Sequence, residues 1–498
     1  MTPDKLQEQR NLDTRFAGGL AWTAGAKWAT QILTWASVLA VARLLSPSDY
    51  GVGGIAGIFF GLTNVLAEFG LGTAVLHMPE LDRRTLGQLH LFSLLLCTGI
   101  CAVSMLAAPG IAWFFRSEHV LFFAATNLGF LTTGIQAVPY GLLQRDMDYR
   151  RLALLEAVGA TITAVVTVTT AWFGWGFWAL LAGPWVGNLS SAALLCHWKR
   201  VPFEWPRWSD IRKPVEMGRH LAVSRVAAAA YASADGIVIG RTMGEAVLGT
   251  YRMAMNLASA PAEKISGLIM RTATPLFANV MDDLPLVQRY YRIIVELLSL
   301  AIMPLMLGLA IVAPQAVLLI LGPKWVAATR PLQWLGLFMI VRVLGVVAEQ
   351  VLVSQRLTRF TMRMSILSFI TMPLAFYMAA RWWGADGVAA AWITLAPVTV
   401  LPLLFIVLRS IKMSAREYGA ALLPALSGSA AMVVALLAIN SQLPASLSVA
   451  MRLSVQVGLG GAVYGGFIFC FFRARILRYV NFLSSLRKGN ETSRPVLS

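Results

Sequence analysis

Apolar runs of about 20 residues recur along this chain from Leu20 to Phe472, and a helix needs about 20 apolar residues to cross a bilayer. That repetition constrains the fold more than any other feature. A large soluble helical protein would need a polar face on each surface helix. Only 13% of the residues are charged, against about 25% in soluble domains, so those faces cannot be supplied. The runs predict an all-α polytopic membrane protein with about 14 transmembrane helices. They fall near residues 19–41, 51–75, 87–113, 120–142, 152–173, 176–196, 218–240, 247–276, 293–314, 328–354, 361–380, 386–408, 418–439 and 450–472.

The charge balance sets an orientation. The formal net charge is +17. In a chain of this hydropathy the excess reads as the positive-inside rule and not as nucleic-acid binding. With the N-terminus placed inside and the spans alternating, the inside connections hold 28 Lys and Arg and the outside ones 7. Both termini are therefore expected in the cytoplasm, with an even number of spans, and the basic face meets anionic lipid headgroups. Residues Met1–Phe16 are polar and lack the short apolar core and cleavage site of a secretory signal, so the first run is expected to stay as a span.

A repeat divides the chain. Ala42-Arg43-Leu44-Leu45-Ser46-Pro47-Ser48-Asp49-Tyr50-Gly51 lies between two apolar runs and has turn chemistry. Gly240 to Gly249 echoes it 198 positions later, with Arg43 on Arg241 and Gly51 on Gly249. Gln144-Arg145 with Tyr149 recurs as Gln355-Arg356 with Phe360, and Gly176 recurs as Gly387, both at an offset of 211. The reading is an N-terminal lobe at 1–200 and a cytoplasmic linker at 201–217. A C-terminal lobe follows at 218–412, then an accessory helix pair with a basic tail at 413–498. Two parallel six-helix repeats around a central cavity are a transporter architecture.

Some charges lie inside the apolar runs, where each costs about 2.5–3.5 kcal/mol on insertion scales. Lys27, Arg252 and Arg342 are the deep cations, and Arg225 lies nearer a helix end where its side chain can snorkel. Lys27 shares a helical face with Thr23, Gln31 and Thr34. Arg252 shares one with Asn256, Ser259 and Glu263, Arg342 with Glu349, and Glu68 with Gly57, Gly61 and Asn64. Spacings of three and four make each set one face. Such faces line a water-filled cavity or pair internally, as in a Lys27–Glu68 bridge. The cations suit an anionic phosphate or diphosphate. Glu68, Asp235, Glu263 and Glu349 are candidate ion or proton carriers, or simply the partners of those cations. Arg43, Asp49, Gly51, Arg241 and Gly249 belong to the outer corners and read as hinges or gates.

Enzyme signatures are missing. There is no Walker A pattern, no His-Glu-x-x-His and no nucleophile elbow. Cys97, Cys101, Cys196 and Cys470 show neither a disulfide framework nor zinc spacing. No metal and no cofactor is expected, and transport is downhill or ion-coupled. Most of the 16 tryptophans sit near span ends, as an interfacial belt does.

The corner motif Ala42–Gly51, the run Glu68-Phe69-Gly70-Leu71-Gly72 and Gln144-Arg145 with Tyr149 resemble the bacterial polysaccharide transporter family. These are Wzx-like flippases of the multidrug/oligosaccharidyl-lipid/polysaccharide superfamily. The resemblance spans nearly the whole chain. It implies alternating access and transfer of a polyprenyl-diphosphate-linked glycan across the bacterial cytoplasmic membrane, for exopolysaccharide, O-antigen or capsule. Membrane lipids, the polymerase and the export machinery are the partners it implies. In the superfamily's lipid II flippases, arginines on early spans of each lobe hold diphosphate, and Lys27 and Arg252 occupy comparable helices. The alternatives are an ion-coupled drug exporter of the same fold, which excess cavity cations oppose, and an envelope polymerase or scaffold, whose long outer loops are missing.

Overall fold

A computed structural model describes residues 30–68, 75, 82–280, 283–355, 357–444 and 446–487. All regular structure among the described residues is helical. The helices are α1 (Thr30–Leu44), α2 (Pro47–Glu68), α3 (Arg83–Phe115), α4 (Val120–Thr126), α5 (Gly129–Arg145), α6 (Tyr149–Trp172), α7 (Ala179–Trp198), α8 (Trp208–Met243) and α9 (Glu245–Val280). They continue as α10 (Leu284–Ala316), α11 (Thr329–Ser354), α12 (Thr358–Thr394), α13 (Ala396–Thr399), α14 (Leu401–Ser410), α15 (Ala415–Gln442) and α16 (Val449–Arg487).

Ten segments among the described residues are long and apolar enough to cross a membrane. They do not include α1, α8 or α9. One of the ten, Arg359–Ser410, holds two expected spans. They are separated at Gly384, whose φ of 65° leaves the helix. The expected single span 386–408 is itself interrupted between α12, α13 and α14. Pro397 and Pro402 lie in the first turns of α13 and α14, and a proline removes one helix bond and crowds the preceding turn.

Side-chain caps fix where the helices start, by taking up amide groups that have no partner inside the helix. Asp82 accepts from the Thr85 amide at 3.0 Å to open α3, and hydrogen bonds from Thr85 hold its carboxyl below the usual range. Asp148 and Asp283 do the same for α6 and α10. Ser414 and Glu417 form a reciprocal capping box at α15. Between α7 and α8 residues 200–207 form no regular structure, and α8 starts at Trp208, earlier than the apolar run 218–240 indicates.

The chain forms two compact units, residues 1–252 with 369–385, and residues 253–368 with 386–498. In the first, α6 and α7 lie close because Gly183 and Gly187 face Thr167 and Thr163, and small residues let membrane helices approach. The second is built on α10. The Tyr464 hydroxyl of α16 donates to the Leu300 carbonyl at 2.7 Å. Arg475 Nε lies 2.9 Å from Glu296 Oε1, a carboxylate in a side chain only 1% exposed. The Gln288 amide donates to the Ile411 carbonyl ahead of α15, and Tyr291 stacks on Tyr418. The last two helices therefore dock on α10.

Candidate functional site

The two echoed corners touch each other. A Cβ added to Gly51 would sit 1.8 Å from the Glu245 carbonyl oxygen, and one added to Gly249 would sit 1.8 Å from the Pro47 carbonyl oxygen. Pro47 and Glu245 are the first residues of α2 and α9. They are 198 apart, as Gly51 and Gly249 are. Exchanging the two repeats maps this contact onto itself, so a local twofold relates the corners. Only glycine allows the first turns of the two helices to approach so closely.

Each corner is also tied to a second one. Asp49 Oδ2 accepts from the Ser46 amide at 2.8 Å and the Ser46 hydroxyl at 2.6 Å. Its Oδ1 accepts from the Phe177 amide at 3.0 Å, in the turn that leads into α7. Glu245 Oε1 accepts from the Ser117 hydroxyl at 2.5 Å, and His119 Nε2 lies 3.8 Å from Glu245 Oε2, both in the connection from α3 to α4. The His119 ring lies tilted against Phe177, with centroids 4.5 Å apart, which closes the ring of contacts. Arg241 places its guanidinium 5.5 Å from the Phe114 ring, and Arg43 is exposed. Glu245, Ser117, His119 and Phe177 were not singled out in the sequence. Glu245 was nonetheless marked by its position, four residues before Gly249 as Pro47 is before Gly51.

Deeper in the first unit lies a charged cluster. Arg252 is seven residues along α9 from Glu245, about 10 Å at the helical rise. Its guanidinium covers Gly236 of α8, where an added Cβ would sit 2.2 Å from Nη2, and its stem lies against Gly54 of α2. Arg252 Nε and Nη2 are buried and have no hydrogen-bond partner among the described residues. Asp235, beside Gly236, is fully buried. The Tyr251 hydroxyl donates to Asp235 Oδ2 at 2.7 Å, and the Gly236 amide donates to Oδ1 at 2.6 Å. Asp235 thus faces protein and lines no open surface. Burying a carboxylate requires such donors, and one of them, Tyr251, is the neighbour in sequence of the arginine.

The second unit carries a different arrangement. Arg342 Nη2 lies 3.5 Å from Glu263 Oε1, with the two side chains 44% and 60% exposed. Asn256 of α9 and Val346, Glu349 and Val353 of α11 are exposed on the same runs. Ser259 is half-buried. The structure brings Arg342 and Glu263 together as an ion pair, joining the polar faces of α9 and α11. Lys27 lies outside the described residues. The backbone of Glu68 and Arg225 lies in α2 and α8, and their side chains are outside the described set. No group of three or more metal-ligating side chains occurs among the described residues.

A helical bundle with a twofold-related corner pair and charges inside apolar helices is an arrangement that suits a membrane transporter. Comparison with known proteins gives the same class. The chain covers 100% of a structure of the lipid II flippase MurJ in an inward closed conformation, over 92% of its own length. The TM-score is 0.73 at 14% identity, which shows a common fold. The lipopolysaccharide biosynthesis protein WzxC of Escherichia coli is 22% identical over 79% of this chain and 82% of its own. A membrane protein of the cps region of Klebsiella pneumoniae is 21% identical over 78% of this chain and 81% of its own. Residues 40–330 match the family described as Polysaccharide biosynthesis protein. The chain belongs to this family and is a multi-span membrane protein.

Proposed function

We propose that this protein flips a polyprenyl-diphosphate-linked oligosaccharide repeat unit across the bacterial cytoplasmic membrane by alternating access. Family membership supports the class of cargo. One observation carries the site. The Arg252 guanidinium has two buried nitrogens, Nε and Nη2, with no hydrogen-bond partner among the described residues, next to an acid that accepts from Tyr251 and Gly236. Leaving buried donors unpaired is costly, and an anion with several oxygens removes that cost. A guanidinium offers two parallel bonds to a phosphate. Asp235 and Tyr251 then serve as the wall that positions Arg252, and Lys27 and Arg225 are further candidate cations from the sequence.

The Arg342–Glu263 pair with Glu349 forms a second charged face, suited to polar cargo or to a coupling ion. The interlock of Gly51 with Glu245 and of Gly249 with Pro47 is the closed form of an outer gate. Opening separates two backbone contacts and leaves the ties through Asp49 and Glu245 as the hinges on each side. The orientation with both termini in the cytoplasm rests on the 28 to 7 charge bias. A polysaccharide polymerase and export machinery receive the product.

The reading is tested by Arg252→Ala in the producing strain. Surface polymer falls by about 10- to 100-fold, the loss expected for one charged hydrogen-bonding group. Lipid-linked intermediate accumulates while the protein still inserts. Normal polymer with a normally inserted variant removes Arg252 from the mechanism.

A further inference from the structure

The connection between α7 and α8 carries a surface that substrate transfer does not use. Its inner side is seated on the first turns of α3. The Glu204 amide donates to the Gly87 carbonyl at 3.4 Å, and Arg84 Nε lies 3.5 Å from Glu204 Oε2. A Cβ on Gly87 would sit 3.1 Å from the Pro202 carbonyl. The Phe203 ring lies 4.6 Å from His90. Behind this strap Leu89, Val138, Ile211 and Val75 form a dry cluster. The strap is therefore a packed element with a fixed inner side.

Its other side has an unusual composition. Phe203 is 59% exposed, Trp205 78% and Trp208 58%. Arg200 and Arg207 stand exposed among them. The remaining charges of the strap are already used, Lys199 on Asp146 and Glu204 on Arg84. Neither Arg200 nor Arg207 pairs with an acid among the described residues. Large aromatic rings with arginines between them match the headgroup layer of a bilayer. Trp and Tyr concentrate at that depth, and a guanidinium there meets lipid phosphate. The strap joins two helices of a membrane protein, so it lies at the level where such a layer exists.

We propose that the segment Arg200–Trp208 is an anchor for anionic phospholipid. Phe203, Trp205 and Trp208 enter the boundary between headgroups and acyl chains, and Arg200 and Arg207 take the phosphates. The anchor pins the start of α3 and the start of α8 to one membrane surface. It rests on the chain being membrane-embedded and is independent of what the protein carries.

The test is amide hydrogen exchange of residues 200–207 in the full-length protein, in nanodiscs of phosphatidylglycerol and of phosphatidylcholine. Exchange is slower in phosphatidylglycerol. The protection falls by about fivefold for each of Arg200→Gln and Arg207→Gln, the effect of one basic residue at an anionic surface. Trp205→Ser with Trp208→Ser reduces protection in both lipids. Unchanged exchange within α3 shows that each variant is folded. Equal exchange in the two lipids, or protection that follows an added soluble protein and not the lipid, overturns the proposal. Export of lipid-linked glycan is measured separately, so either reading can fail alone.

Discussion

Helix α2 uses glycine in two opposite ways. At Gly51 the missing side chain lets the backbone of α9 come within contact distance, and Gly249 does the reverse service for α2. Two turns further on, Gly57 and Gly61 are exposed, and an added Cβ meets nothing within 4 Å among the described residues. One pair of glycines closes a gap and the other leaves a face open. The contrast puts a close backbone contact at the start of the helix and an unfilled surface along its middle.

Substitution separates the two uses. Gly51→Ala or Gly249→Ala puts a methyl group into a carbonyl oxygen and forces the corner apart. The expected loss is about 1–3 kcal/mol of stability, as for overpacking, together with most of the transport activity. Gly57→Ala and Gly61→Ala remove a flexible residue from a helix and are neutral or gain about 0.5–1 kcal/mol. Thermal melting of the four variants in one detergent decides the matter. Equal effects at all four positions would remove the distinction.

The charged pairs give a second, graded contrast. Arg475 meets a Glu296 side chain that is 1% exposed. Arg475→Ala removes one partner of that buried charge and costs up to about 3–5 kcal/mol, seen as release of the last helix from α10. Glu263 and Arg342 are 60% and 44% exposed. Glu263→Gln changes stability by about 1 kcal/mol or less, so any larger effect on transport reports a role in the cargo path. A melting loss as large as that of Arg475→Ala would make the pair structural.

The sequence was most legible where one residue type dictates one outcome. The apolar runs become helices because lipid leaves the backbone no other way to bond. The offset of 198 between the corners reappears as a physical contact, since Gly51 and Gly249 were the residues that close packing needs. Less was legible where a partner lies far along the chain. Nothing near Glu245 announces Ser117, and nothing near Asp49 announces the Phe177 amide. Asp235 reads from its position as an acid lining a cavity. Its burial depends on Tyr251, sixteen residues away on the next helix, which periodicity within one helix does not report. The interruption of the expected span 386–408 between α12, α13 and α14 was also hidden, because an apolar run records length and not direction.

The most direct measurement of the central claim is lipid transfer by the purified protein. Full-length protein is reconstituted into vesicles with a fluorescent polyprenyl-diphosphate saccharide, and probe reaching the opposite leaflet is followed by quenching. The account predicts transfer that depends on the protein, falls by about 10- to 100-fold in Arg252→Ala, and is lost when the diphosphate is replaced by a neutral link. Transfer that is indifferent to the diphosphate, or vesicles that move a cationic drug and not the lipid-linked saccharide, would contradict it.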